Sequence, residues 1–266
     1  ERVAREARVE AKDELIRMEF PKDSGFEATY RFAVDGPIPG TVYAVVERPD
    51  LYTLTCNGAA ITAVPGEWWL DRAFGKIDIT KAVRNGENTI ALKASPMTMY
   101  HEIAAVYILG DFALKPAASG HVIVPPAPLQ LGAWNAQGCP FYAQGVSYTQ
   151  HFAIADPGAH YRVALPQWYG SVAKVLVNGE LAGHIGWQPA ECDVTKFIKT
   201  GDNVVEVIVV GTLKNTLGPY FGKMRLGFAS PGSFRTAPDS GPPAGAEYNS
   251  VGYGLMGPLQ LLASSE

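Results

Sequence analysis

The segment DVTKFIKTGDNVV, Asp193–Val205, has a near copy without gaps in DITKAVRNGENTI, Asp78–Ile90. Both open on Asp, a β-branched residue, Thr and Lys, and both place Gly, an acid and Asn in the same order near the end. The copies stand 115 residues apart, which is the length of a small domain, so the spacing points to a duplicated unit.

Working backwards, LTCNGAAI (Leu54–Ile61) aligns with VLVNGELA (Val175–Ala182), each reading strand, Asn-Gly, strand. Asn57-Gly58 and Asn178-Gly179 predict type I′ hairpins, whose two central residues both need positive φ. Asp78 and Asp193 are placed to cap the backbone N–H groups of a short helical turn that Asn85-Gly86 or Thr200-Gly201 would end. Forwards, ENTIALKAS (Glu87–Ser95) and DNVVEVIVVG (Asp202–Gly211) carry β-branched residues in the alternation or runs of core strands.

Upstream of each unit lie two further strand-like runs, FEATYRFAV and TVYAVVER in the first copy and VSYTQHFAI and YRVALPQ in the second. Strands every 8 to 15 residues with Gly/Pro punctuation predict an all-β chain of two tandem antiparallel β-sandwiches rather than a βαβ fold. The prolines of LKPAASGHVIVPPAP (Leu114–Pro128) interrupt any regular ladder, and the expected division is 21–118 and 119–266. Residues 1–20, charged with interleaved Val, Ala, Leu and Ile, read as a helical lead-in.

Composition narrows the function. Among 266 residues, 47% are apolar and 18% charged, with a net charge of −4 spread along the chain. No run of Lys or Arg interleaved with aromatics is present, which argues against a nucleic-acid partner. No apolar run approaches the roughly 18 residues that span a bilayer, so no membrane partner is expected. Because the chain opens on Glu1 in a charged stretch, it reads as an excised piece or a mature form. Cys56, Cys139 and Cys192 lie far apart without zinc-ligand spacing, and one disulfide among them stays open.

The second copy, VSYTQHFAI followed by VAKVLVNGELAGHIGWQPAECDVTKFIKTGDNVVEVIVVGT, resembles the sugar-binding β-sandwich of family 2 glycoside hydrolases. The shared pattern is a strand, a V-x-V-N-G turn, a G-x-x-P loop, then D-V-T and K-x-G-x-N. LGAWNAQGCPFYAQGVSYTQHF, LKNTLGP and GLMGPLQLL are similar to the C-terminal region of large bacterial α-L-rhamnosidase-like glycosidases. The first copy carries only the N-G turn, the D-I-T-K segment and YILGDF, so its galactose-binding-like jelly roll follows from the internal repeat. In such enzymes the catalytic carboxylates sit on a separate barrel, for which this chain has neither the length nor the βα alternation. The resemblance therefore implies a non-catalytic accessory region of a secreted or periplasmic bacterial enzyme, with a polysaccharide or oligosaccharide and the parent's catalytic domain as partners.

Catalytic signals are absent from the sequence itself. A glycosidase needs two carboxyl groups about 5 to 10 Å apart, and spacing does not pair Glu67, Asp71, Glu102, Asp111 or Glu191. His101, His121, His151, His160 and His184 form no H-x-H or H-E-x-x-H motif, and no G-x-S-x-G elbow or phosphate-binding glycine loop occurs. No cofactor is expected, and a structural calcium stays open because loop carboxylates and carbonyls hold it with little sequence signature.

Aromatic loops remain. Sugar C–H faces stack on indole and phenol planes, while hydroxyls need polar side chains around the rim. The loop after each Asn-Gly hairpin holds tryptophan: AVPGEWWLDRAFGKI supplies Trp68, Trp69, Asp71 and Arg72, and GHIGWQPAEC supplies His184, Trp187 and Gln188. Asn57 precedes Asp78 by 21 residues and Asn178 precedes Asp193 by 15, so the loops have diverged. Adjacent Trp68 and Trp69 on a strand would face opposite ways, and at least one is expected to pack inward. Trp134, Phe141 and Tyr142 read as core or interdomain packing, whereas Trp168, Tyr169, Tyr220 and Phe221 fall at an expected hairpin or loop. The Gly/Pro/Ser stretch Ser230–Gly254 exceeds ordinary loop length and is expected to be functional or mobile. The readings are thus a carbohydrate-binding region, a scaffold bracing a catalytic barrel, or a small hydrolase or lyase without a known motif.

Overall fold

The computed structural model describes residues 16–218 and 241–264. Most of the expected lead-in helix, Tyr220, Phe221 and the part of the Gly/Pro/Ser stretch before Gly241 lie outside them. The chain divides into two compact units, residues 1–112 with 122–126 and residues 113–121 with 127–266.

The first unit contains β1 (Phe26–Val34), β2 (Tyr43–Glu47), β3 (Thr53–Cys56), β4 (Ala59–Ile61), β5 (Trp68–Trp69), β6 (Asp71–Asp78), β7 (Gly86–Ala94) and β8 (Tyr107–Leu109). Next come β9 (Ala113–Pro116), in the second unit, and β10 (His121–Val124), whose last three residues return to the first. One sheet of the first unit runs β4-β3-β7-β1-β10 and the other β5-β6-β2-β8. The β1–β10 pair is parallel, and the β1–β7, β2–β6, β2–β8, β3–β4, β3–β7 and β5–β6 pairs are antiparallel. Ala44, Val46, Ile77 and Ile79 meet Leu54, Cys56, Ile90 and Leu92 in its core.

The second unit contains β11 (Gly145–Ile154), β12 (His160–Ala164), β13 (Trp168–Tyr169), β14 (Val172–Val177), β15 (Glu180–Ile185), β16 (Glu191–Asp193), β17 (Gly201–Val210), β18 (Gly254–Leu255) and β19 (Gln260–Ser264). Its sheets run β11-β17-β14-β15 and β16-β12-β19, with β13 and β18 as a separate two-stranded ribbon. Val163, Val175, Val177, Cys192, Val194, Val205, Val207 and Val209 fill the core with Trp134, as period-2 burial on β14 and β17 requires. The chain is all-β, built from mainly antiparallel sheets.

The duplicated segment performs the same internal work in both units. Asn57 (φ 50°) and Gly58 (φ 84°), like Asn178 (φ 53°) and Gly179 (φ 86°), make the type I′ turns. Asn57 Nδ2 donates to Ala82 O and Asn88 Oδ1, both at 2.8 Å, and its Oδ1 accepts from Thr89 N at 2.9 Å. Asn178 does the same with Phe197 O, Asn203 Oδ1 and Val204 N, at 3.0, 3.0 and 3.1 Å. The second Asn of each pair, Asn88 or Asn203, is wholly buried and bonds the backbone on both sides of the glycine turn.

Asp78 Oδ1 accepts from Thr80 N at 2.9 Å and Thr80 Oγ1 at 2.6 Å, and Thr80 Oγ1 accepts from Val42 N at 2.9 Å. Asp193, Thr195 and Tyr161 repeat this with 2.9, 2.7 and 3.0 Å. The Asp-x-Thr element therefore joins the turn to the strand opposite by replacing backbone partners that the irregular chain cannot supply. Gly86 (φ 89°) and Gly201 (φ 93°) end the two turns in the left-handed region.

Candidate functional site

In the first unit, Trp68 and Trp69 form β5 and pair with Gly75 and Asp71, with a register shift between them. Trp68 is half exposed. Trp69 is partly buried, its ring tilted against Tyr107 at 5.0 Å, and Phe74 meets the same tyrosine edge-on at 6.2 Å. Neither tryptophan belongs to the main hydrophobic core, so the inward-packing residue rests on the sheet's outer aromatic cluster. Phe74, Lys76, Tyr43 and Tyr107 share that face through the β6–β2–β8 register.

Lys76 Nζ lies 3.9 Å from the Tyr43 ring centroid and 2.8 Å from Glu67 Oε2, and that carboxylate raises the lysine's pKa. Asp71 Oδ1 accepts from Ala73 N at 2.8 Å, which spends one of its oxygens on its own turn. Arg72 is exposed and makes no ion pair among the described residues.

In the second unit, Trp187 is 84% exposed on the connection that leaves β15 for β16 in the other sheet. A cis Gln188–Pro189 bond follows it, and Gln188 is exposed too. Beyond it, Glu191 Oε2 lies 3.4 Å from Arg162 Nη1 on the neighbouring β12. With Asp193, Gln260 and Leu262 these side chains share the outer face of β16-β12-β19. His184 is exposed but sits elsewhere, opposite Lys174 on the outer face of β11-β17-β14-β15. Thus the structure sets Trp187 and Gln188 beside one another on a loop and places His184 on a sheet face.

Sequence reasoning missed Tyr107, Phe74 and Arg162. Each reaches its aromatic or acidic partner through strand pairing between distant segments, and only the alternation within β2, β6 and β12 hinted at their side of the sheet.

The remaining aromatics divide by burial. Trp134 is buried and donates from Nε1 to Tyr148 Oη at 2.7 Å, as expected of a packing residue. Phe141 meets His121 at 5.0 Å and Tyr248 at 5.4 Å, and burial lowers the His121 pKa. Tyr142 is more exposed than core packing implies, touching Trp134 at 5.9 Å. Trp168 and Tyr169 form β13 rather than a loop tip, and exposed Tyr169 stacks on buried Tyr253 at 6.0 Å.

Three of the five candidate carboxylates are engaged locally: Glu67 by Lys76, Glu191 by Arg162, Asp71 by its turn. Among the described residues, no three or more His, Cys, Asp or Glu side chains cluster to hold a metal ion. All three cysteines are unpaired, and burial raises each thiol's pKa. A shallow groove of the first unit, lined by Val34, Pro37, Ile38, Val83 and Arg84, includes none of the predicted sugar-binding residues. No described helix is long and apolar enough to cross a membrane.

No protein-family model and no curated protein matches the chain. Among solved structures, the rhamnosidase from Novosphingobium sp. PP1Y is similar over 88% of this chain and 24% of its own, at 15% identity and a TM-score of 0.37. The α-L-rhamnosidase of Streptomyces avermitilis, complexed with L-rhamnose, is similar over 71% of this chain and 22% of its own, at 16% identity and a TM-score of 0.29. The chain thus spans about a quarter of the length of these structures. Both TM-scores fall below 0.5, so function is argued from the residues.

Proposed function

We propose that the chain is a non-catalytic carbohydrate-binding region of a larger bacterial polysaccharide-degrading glycoside hydrolase, with Trp187 as the principal contact. The observation that carries this is an indole 84% exposed on an inter-sheet loop. An exposed indole contributes nothing to the core, while its flat face suits the C–H face of a sugar ring. Gln188 beside it, and Arg162 and Glu191 on the adjoining sheet, supply the donors and acceptors that sugar hydroxyls need. Trp68 with Arg72 offers a second, smaller surface of the same chemistry in the first unit.

Affinity electrophoresis against rhamnose-rich pectin, xylan, arabinogalactan and β-glucan tests the proposal. Stacking one indole face removes on the order of 100 Å² from water, so Trp187→Ala should cost about 2 kcal/mol, or roughly 30-fold in affinity. Retardation that persists in this variant and disappears in Trp68→Ala moves the site to the first unit. No retardation on any polysaccharide refutes sugar binding.

The competing scaffold reading has its own observation: the duplicated motif that carries the family resemblance is spent on internal hydrogen bonds in both units. That reading expects a longer parent enzyme to lose stability, and no sugar affinity, when Trp187 is removed.

A further inference from the structure

The two units share four corresponding strands, β4-β3-β7-β1 and β15-β14-β17-β11, but finish their outer face differently. Counting from the buried Asn88 and Asn203, Thr89 corresponds to Val204, Ala91 to Glu206 and Lys93 to Ile208. Counting from the hairpin Asn57 and Asn178, Thr53 corresponds to Lys174, Thr55 to Leu176 and Ala60 to Leu181.

Strand register assembles these positions into surfaces. In the first unit, Glu27, Lys93 and Thr53 form one row, and Thr29, Ala91, Thr55 and Ala60 the next. That face is polar, as a sheet open to water should be. In the second unit, Ser147, Ile208, Lys174 and His184 form one row, and Thr149, Glu206, Leu176 and Leu181 the next. Val210 with Val172, and Val204 with His151, flank them.

Thr89, Lys93 and Thr55 have thus given way to Val204, Ile208 and Leu176, and Ala60 to the larger Leu181, at equivalent places on the four corresponding strands. The strand arrangement does not require this change, because the first unit pairs the corresponding β4-β3-β7-β1 strands without it. It is the pattern of a sheet face covered by something outside the sandwich.

The charges on the face select the occupant. Lys174 on β14 and Glu206 on β17 lie in adjacent rows of neighbouring strands, the only Lys–Glu diagonal in those rows. Lys174 makes no ion pair among the described residues. Glu206 Oε1 accepts from Ser147 Oγ at 2.6 Å, which leaves its second oxygen for another donor. One positive and one negative group offset on a face that also carries Ile208, Leu176 and Leu181 are self-complementary under a two-fold rotation. We infer that this face joins two copies of the chain, Lys174 of each set against Glu206 of the other across the apolar patch.

Four strands about 4.8 Å apart and four residue rows about 6.8 Å apart cover roughly 500 Å² per copy. Two copies bury about 1,000 Å², the low end for specific contacts, so the dimer dissociates on dilution.

Sedimentation equilibrium of the full chain from about 10 μM to about 1 mM tests this. The mass should rise from one chain towards two across the range. Lys174→Glu and Glu206→Lys, each alone, should hold the chain monomeric, since each places like charges together twice. An equimolar mixture of these two variants should regain the dimer, because both reciprocal contacts are then between opposite charges. The variant L176T/V204T/I208K, which takes the first unit's own residues, should remain folded by circular dichroism and stay monomeric. A wild-type chain monomeric throughout overturns the inference and leaves the face to a different partner. Association unaffected by these substitutions overturns it as well, by placing the contact elsewhere.

Discussion

Replacing Asn203 by alanine should be among the most damaging single changes in the second unit, although it removes no apolar contact. Asn203 is fully buried. Its Nδ2 donates to Lys199 O at 2.7 Å and Gly201 O at 3.0 Å, and its Oδ1 accepts from Lys199 N and Asn178 Nδ2, both at 3.0 Å. Alanine deletes all four bonds and leaves the backbone groups of Lys199 and Gly201 without their side-chain partner. At about 1 kcal/mol per lost bond, with more where a buried partner stays unsatisfied, the cost is roughly 4 kcal/mol. With a urea m-value of about 2 kcal/mol/M, the unfolding midpoint falls by about 2 M. Urea unfolding followed by tryptophan fluorescence, which reads buried Trp134 in the same core, measures it. The neighbouring Asp202→Ala is the control: its pair with His151 is well exposed on both sides, so the change should stay within about 0.5 kcal/mol. A loss below about 1 kcal/mol for Asn203→Ala would show that the motif does not hold the fold.

Two further predictions concern the backbone and pH. Gly254→Ala would put a methyl 2.6 Å from Gly132 O and 2.8 Å from Trp134 Nε1, at a φ of 137°, and should destabilise by more than about 2 kcal/mol. Gly179→Ala meets no atom within 4 Å at a φ of 86°, so thermal melting should show only the backbone cost of about 1 kcal/mol. The hydrogen bonds from Thr80 lower the Asp78 pKa, chiefly through the hydroxyl, and those from Thr195 lower that of Asp193, chiefly through the backbone N–H. Each carboxylate therefore stabilises the fold fully above its unfolded pKa of about 3.9, and that contribution is lost as pH falls through the lower folded value. The double variant D78N/D193N should lose less melting temperature than wild type between about pH 5 and pH 2, and an unchanged acid slope would contradict this assignment.

Local chemistry was legible in the sequence wherever one stretch of chain determines the conformation. Asn-Gly predicts a type I′ turn because both residues must take positive φ, and the observed values agree at both hairpins. Alternation on β11, β14 and β17 indicated which side chains enter the core. Hidden from it were the partners that strand pairing brings together: Tyr107 on Trp69, and Arg162 on Glu191. Trp168 and Tyr169, expected at a hairpin or loop, lie instead on a short strand for the same reason, because they pair with Gly254–Leu255 from far along the chain. His184 was grouped with Trp187 by proximity in sequence, but β15 carries it onto a sheet face before the loop begins.

Duplication explains why the repeated motif and the candidate functional surfaces fall on different residues. A motif retained in both copies must satisfy whatever both copies share, and here that is the turn geometry held by Asn57 with Asn88 and by Asn178 with Asn203. Surfaces at which the copies differ are released from that shared constraint. Two such differences stand out: the loop between hairpin and Asp-x-Thr turn, which presents Trp68 in one unit and Trp187 in the other, and the outer face where Lys93 becomes Ile208 and Thr55 becomes Leu176. Neither difference adds to its own hydrophobic core, since Trp187 is 84% exposed and Ile208 and Leu176, only partly buried, lie outside the core cluster. Under the two proposals above, the reason for them lies in contacts outside the unit, a flat ring face for a ligand and a partly apolar face for a second chain. Interchanging residues between the two copies separates these roles directly, because each unit shows which side chains the same fold accepts at the same place.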